Sequence, residues 1–223
     1  MKLLPLLCSG FIGISSCWGE PLIVAHRGAS ADAPENTMAA FTEAWRQGAD
    51  AIEGDFWLTK DGRIVTIHDG TTKRTAAKDL NIAKKDWADL KDLDVGSWKG
   101  PQWSNEKIPL LSKVLDSIPD GKGIFIEVKC GPEIVPRLFE VLAQSKTTLD
   151  QITVISFNKD VIRAVKKREP RITANWLSGF KKGKDGSYSP SLDSAIATLK
   201  DIGADGLGAQ AAPDLAIELG DRL

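Results

Sequence analysis

The chain has 223 residues, 42% of them hydrophobic and 26% charged, with a formal net charge of −1. That is enough apolar material for one domain with its own core. It leaves no broad basic surface, which argues against a nucleic-acid partner. Cys8, Cys17 and Cys130 are too few and too scattered for a disulfide-built scaffold.

Residues 1–19 read as a targeting leader. Lys2 supplies the positive start, and the apolar run from Leu3 to Ile14 is too short for a spanning helix. Ile14-Ser15-Ser16-Cys17 resembles a bacterial lipobox, in which a lipidated Cys17 would anchor the chain to a membrane. Ordinary cleavage near Gly19 is the rival. Either reading exports the chain, as a periplasmic membrane-anchored lipoprotein or as a secreted protein. Residues 20–223 are then the folded domain. Cys130, with no second cysteine beside it in sequence, reads as a bystander thiol.

Beyond residue 20, short apolar runs alternate with amphipathic stretches. Strands are expected at 22–25, 51–57, 63–67, 123–129, 152–156, 172–177 and 204–208. Helices are expected at 37–47, 109–118, 132–145, 159–168 and 191–202. The first helix takes Asn36 as its N-cap, turns Met38, Phe41 and Trp45 to one face, and stops at Gly48. The last closes at Gly203. Alternation of this kind means parallel βαβ units. Thr59-Lys60-Asp61-Gly62 is a turn that makes 51–57 and 63–67 a local hairpin. Residues 70–108 interrupt the rhythm with a polar insertion holding Trp87, Trp98 and Trp103. Those indoles read as a small core beneath the insertion, or as a lid wall near a substrate.

The chain has two histidines, and each ends an apolar run. His26 follows Leu22-Ile23-Val24-Ala25, and His68 follows Ile64-Val65-Thr66-Ile67. Histidine used so sparingly, at strand ends, points to proton transfer. Glu53 and Asp55 lie two residues apart on a strand, so they share a face about 6.5–7 Å apart at Cα. Ile52 and Phe56 then face apolar packing. Glu127 and Lys129 repeat the pattern, with Ile126 and Val128 behind them. Clustered acidic oxygens are the chemistry of a hard-cation site.

His26-Arg27-Gly28, Pro34-Glu35-Asn36-Thr37, Glu53-Gly54-Asp55, the Thr59–Gly62 turn, His68-Asp69 and Glu127-Val128-Lys129 together resemble the glycerophosphodiester phosphodiesterase family in order and spacing. The resemblance runs from about residue 22 to about residue 210. It implies an α/β fold, a TIM (β/α)8 barrel with a small insertion after the second strand. It also implies hydrolysis of small-molecule glycerophosphodiesters to sn-glycerol 3-phosphate and an alcohol. One divalent cation, Ca²⁺ or Mg²⁺, would be held by Glu53, Asp55 and Glu127. His26 and His68 would be the catalytic acid/base pair, with His26 favoured as base and His68 as acid. Arg27 and Lys129 would hold the substrate phosphate. This matches the chemical need, since a phosphodiester anion repels nucleophiles until its charge is offset and its leaving alkoxide is protonated.

Three further expectations follow. Asp69, adjacent to His68 on an extended chain, should point away from it and brace the loop. Glu35 and Asn36 should shape the first βα loop. About six barrel strands can be counted where a TIM barrel needs eight, so the chain reads as C-terminally truncated and should expose unpaired strand edges. Two alternatives stand beside the enzyme reading. One is an exported, non-enzymatic phosphodiester-binding lipoprotein. The other is a lysophospholipid or sphingolipid phosphodiesterase of the same superfamily.

Overall fold

A computed structural model describes residues 22–209. The leader with Cys17 and residues 210–223 lie outside the described residues. In chain order the elements are β1 (Val24–Ala25), α1 (Met38–Arg46), β2 (Ala51–Leu58), β3 (Ile64–Thr66), α2 (Trp87–Leu90), α3 (Leu111–Leu115), β4 (Gly123–Val128), α4 (Val135–Ala143), β5 (Ile152–Ser156), α5 (Lys159–Arg168), β6 (Thr173–Leu177), β7 (Lys181–Lys182), β8 (Tyr188–Ser189), α6 (Leu192–Ile202) and β9 (Gly206–Gly208).

Six strands run parallel in the order β1-β2-β4-β5-β6-β9, as the βαβ alternation requires. They make a curled part-barrel, and the count of six barrel strands holds for the described residues. β3 pairs antiparallel with the end of β2, Leu58 opposite Ile64, which is the hairpin the Thr59–Gly62 turn predicts. None of the described helices is long and apolar enough to cross a membrane.

Strand alternation sorts the side chains. Ile52 and Phe56 of β2, Ile124, Ile126 and Val128 of β4, and Ile152 and Val154 of β5 face the helices. There they pack with Phe41 of α1, Leu111 of α3, Leu138 of α4 and Val161 of α5 in one buried cluster. The residues between them, Glu53, Asp55 and Glu127, are thereby sent to the opposite, inner face.

The expected helix starts shift in one informative place. Thr37, not Asn36, caps α1: its backbone is extended and its Oγ1 accepts from the Ala40 N–H at 3.3 Å. Asn36 sits at φ 58°, in the left-handed region that Asn tolerates, and its amide is engaged elsewhere. α6 does end on Gly203, at φ 67°. The short β7–β8 hairpin was not anticipated, because Lys181–Ser189 is polar and reads as loop.

The insertion has its own core, but not the one expected. Val65, Ile67, Ile82, Leu90, Val95 and Ile108 form it, with Trp57 and Trp87 packed against them. Trp98 is instead 44% exposed. Aliphatic side chains, rather than three indoles, supply the burial.

Candidate active site

The site lies at the carboxyl ends of β1, β2 and β4 and just beyond β3. Register brings the acids together: Asp55 of β2 stands directly opposite Glu127 of β4. Glu53, two residues back on the same face, completes a cluster whose ligand oxygens lie within 4.8 Å of one another. All three are buried, Asp55 completely.

The chain after β1 makes a tight turn onto α1. Gly28, at φ 75°, is required there, because a Cβ would stand 2.6 Å from the Ala40 carbonyl carbon. Arg27 itself takes φ 58°, a conformation uncommon for a long side chain. This aims its backbone N–H at Glu53 Oε2, 2.9 Å away. Its side chain reaches Glu35 Oε1 at 3.2 Å and lies with Nε 3.3 Å from Asp55 Oδ2. Lys129 donates to Glu127 Oε1 at 2.8 Å and sits 3.3 Å from Asp55 Oδ1. His26 Nε2 is 4.0 Å from Glu53 Oε2, on a largely exposed ring.

One cavity of about 560 Å³ is lined by His26, Arg27, Glu53, His68, Glu127 and Lys129. The structure thus gathers six of the seven expected residues around one cavity, and Asp55, buried, sits against Arg27 and Lys129. Ile155, Phe157 and Leu177 add apolar lining to the same cavity.

Burial dominates the electrostatics. Glu53 is pushed up to about 8, first by desolvation and then by the charges of Asp55 and Glu127. His26 is lowered, first by partial desolvation of a ring that stays largely exposed and next by Arg27. Burial opposes the charge on Lys129, but its hydrogen bond to Glu127 and the field of Asp55 outweigh this and raise it. Cys130, beside the site, is pushed up to about 11 by burial and stays a thiol at neutral pH.

The acidic cluster fits a divalent cation. Glu53 Oε1 is buried and lacks a hydrogen-bond partner, and Asp55 Oδ1 has only the Lys129 ammonium, 3.3 Å away. Buried carboxylate oxygens are costly in that state. An all-oxygen donor set is what a hard cation takes.

One expectation is overturned. Asp69 does not turn away from His68, because β3 ends at Thr66 and the chain bends through residues 68–70. Alternation of side chains along an extended strand therefore does not apply. Asp69 Oδ1 lies 2.7 Å from His68 Nδ1 and holds the ring, which leaves Nε2 as the nitrogen for chemistry.

Sequence reasoning also undervalued Asn36. Its Nδ2 donates to Asp55 Oδ2 at 2.7 Å and its Oδ1 accepts from the Asp55 N–H at 3.1 Å, fixing that carboxylate from side chain and backbone together. The available clue was Thr37, an adequate cap that frees Asn36 for another task. Asn36→Ala is expected to destabilise the protein by about 1–3 kcal/mol, the cost of unpartnered buried polar groups. Asn36→Gly should lose nearly as much despite keeping the φ, and denaturant unfolding measures both.

The glycerophosphoryl diester phosphodiesterase family profile matches residues 26–206, the stretch that carries every one of these side chains. This chain belongs to that family. A glycerophosphodiester phosphodiesterase of Caldanaerobacter subterraneus subsp. tengcongensis is 38% identical over 162 residues, 71% of this chain and 67% of that one. One from Bacillus subtilis is 33% identical over 168 residues, 68% of this chain and 57% of that one. The chain therefore spans about 57–67% of the length of these two curated relatives.

Among solved structures, an Oleispira antarctica phosphodiesterase in complex with the product sn-glycerol-3-phosphate superposes with a TM-score of 0.79. It is 30% identical, over 90% of this chain and 81% of that one. A glycerophosphodiester phosphodiesterase from Thermotoga maritima gives 0.65 at 25% identity, over 91% and 78%. Within the glycerophosphodiester phosphodiesterase family frame, the site described above is the carboxyl-end face of the barrel strands, where such folds place their chemistry.

Proposed function

We propose that this protein hydrolyses glycerophosphodiesters to sn-glycerol 3-phosphate and an alcohol. The observation that carries the reading is the joint lining of one cavity by two histidines, two cations and a buried acidic cluster. The Oleispira relative, solved with sn-glycerol-3-phosphate, supports the substrate class. A non-enzymatic phosphodiester binder has no need of two imidazoles facing the same cavity.

Glu53, Asp55 and Glu127 would hold Ca²⁺ or Mg²⁺, which when bound offsets charge on the phosphate. Arg27 and Lys129 would engage the remaining phosphate oxygens. His26 takes the proton from the attacking hydroxyl, either water or the glycerol 2-hydroxyl, as its oxygen bonds to phosphorus. Partial desolvation and the charge of Arg27 disfavour the protonated ring, in the direction a base requires. His68, held through Nδ1 by Asp69, gives a proton from Nε2 to the departing alkoxide as the other P–O bond breaks. Attack by the 2-hydroxyl would yield a cyclic phosphate that water then opens by the same acid/base exchange.

The test is release of glycerol phosphate from glycerophosphocholine by the full-length protein, abolished by EDTA and restored by Ca²⁺ or Mg²⁺. Turnover insensitive to chelation would overturn the metal assignment, and no turnover in either metal would overturn the activity. A second substrate reading rests on the apolar part of the lining, where Phe157 is 62% exposed. Faster cleavage of a lysophospholipid than of glycerophosphocholine would favour it.

A further inference from the structure

The insertion contributes a side chain that the reading above does not use. Arg74 is 42% exposed at its side chain, yet its donors go to two separate carboxylates. Nε donates to Asp69 Oδ2 at 2.8 Å. Nη1 and Nη2 fork onto Glu35 Oε2 and Oε1 at 2.8 and 2.7 Å. Each carboxylate is already engaged with a residue of the site, Asp69 with His68 and Glu35 with Arg27. The result is a continuous run from His68 through Asp69, Arg74 and Glu35 to Arg27.

The backbone that presents Arg74 is itself fixed. Thr72 and Thr75 are buried beside it. The Thr72 carbonyl accepts from the Thr75 and Ala76 N–H groups, and the Thr72 N–H reaches the Leu80 carbonyl. The guanidinium is therefore held at a set place rather than swung out on a loose loop. Planar forked geometry suits one cation serving two carboxylates, which an ammonium cannot reproduce.

We propose that Arg74 is a positioning residue that sets the His68 ring and the Arg27 guanidinium in one geometry, through Asp69 and Glu35. This rests on the phosphodiesterase reading for its kinetic consequence, though not for its structural one. The insertion then serves the reaction directly: it carries the residue that ties the proton donor to the phosphate clamp. Without Arg74, Asp69 and Glu35 lose the cation they share, and each holds its site residue, His68 or Arg27, without a brace behind it. His68 is faced by Asp69 with Arg74 and Glu35 behind it, and it shares its cavity with His26, Arg27, Glu53, Glu127 and Lys129.

The test compares Arg74→Gln, Arg74→Lys, Asp69→Asn and the Arg74→Gln/Asp69→Asn double variant in the full chain with Ca²⁺ or Mg²⁺. Each single variant is expected to lower kcat for glycerophosphocholine by about tenfold or more, part of the usual acid/base contribution. Arg74→Lys should not rescue it. The double variant should be no slower than the slower single variant, because both break the same link. With two histidines in the chain, ring ¹⁵N NMR gives an independent readout. The His68 signals should move in Arg74→Gln as they do in Asp69→Asn. Wild-type kcat in Arg74→Gln, losses that multiply in the double variant, or unmoved His68 signals would each overturn the proposal. If the wild-type protein does not turn over the diester, the functional reading fails alone, and the ¹⁵N shifts still decide the linkage.

Discussion

His26→Ala and His68→Ala are each expected to lower kcat by at least about 10²-fold, the usual size of a lost acid or base contribution. Neither change should unfold the protein. His26 is largely exposed, and His68 is hydrogen-bonded to Asp69 through its ring and to the indole of Trp57 through its carbonyl, which the ring's removal leaves in place. Thermal unfolding near the wild-type temperature separates lost chemistry from lost fold. The two roles separate by leaving group. A diester that releases p-nitrophenolate needs little protonation, so the His68→Ala loss should shrink on it while the His26→Ala loss persists. The reverse pattern would exchange the two roles, and wild-type turnover in either variant would remove that histidine from the mechanism.

A divalent cation is expected to stabilise the protein as well as activate it. Glu53, Asp55 and Glu127 are buried against one another, and Glu53 is pushed up to about 8. A carboxyl whose folded pKa lies above its unfolded value binds its proton more tightly when folded. Its contribution to stability is fully present below about pH 4.5, the ordinary glutamate range, and is lost as pH rises through about 8. His26, lowered from its ordinary value, acts in the opposite sense around pH 6.5. Comparison with Glu53→Gln isolates the carboxyl, since His26 is common to both proteins.

Metal-free wild type should therefore lose stability relative to Glu53→Gln between about pH 4.5 and 8, and Ca²⁺ or Mg²⁺ should reverse the difference. At a metal concentration of about 100 times Kd the gain is about 2.7 kcal/mol. For a chain of this length that is about 5–10 °C in Tm. Equal Tm with metal and with EDTA would show that these carboxylates hold no cation.

Much of this molecule is written locally. β2 declares its two faces by alternation, with Ile52 and Phe56 against the helices and Glu53 and Asp55 opposite them. The Thr59–Gly62 turn sets the β2–β3 hairpin, and Gly203 ends α6. These features depend on neighbours two to four residues away, so periodicity and turn chemistry suffice to read them. Strand patterning likewise picked out the seven expected residues that the structure brings together, His26 and His68 just past strands and Glu53 and Asp55 on one face within β2.

Only the tertiary structure decided how those residues are supported. β2–β4 register set Asp55 against Glu127, and no property of either segment alone fixes that pairing. Asn36, 19 residues from Asp55, was mistaken for a helix cap because capping is a local property and its actual partner is not. Asp69 was sent the wrong way by extending strand alternation past Thr66, where the chain had already bent. Arg74 was invisible, since its link to Glu35 spans 39 residues and comes from a loop without periodicity. Patterns along a chain specify which side chains share a face. Which charges meet across the fold is settled by packing and register, where burial makes each unpaired group costly enough to require a partner.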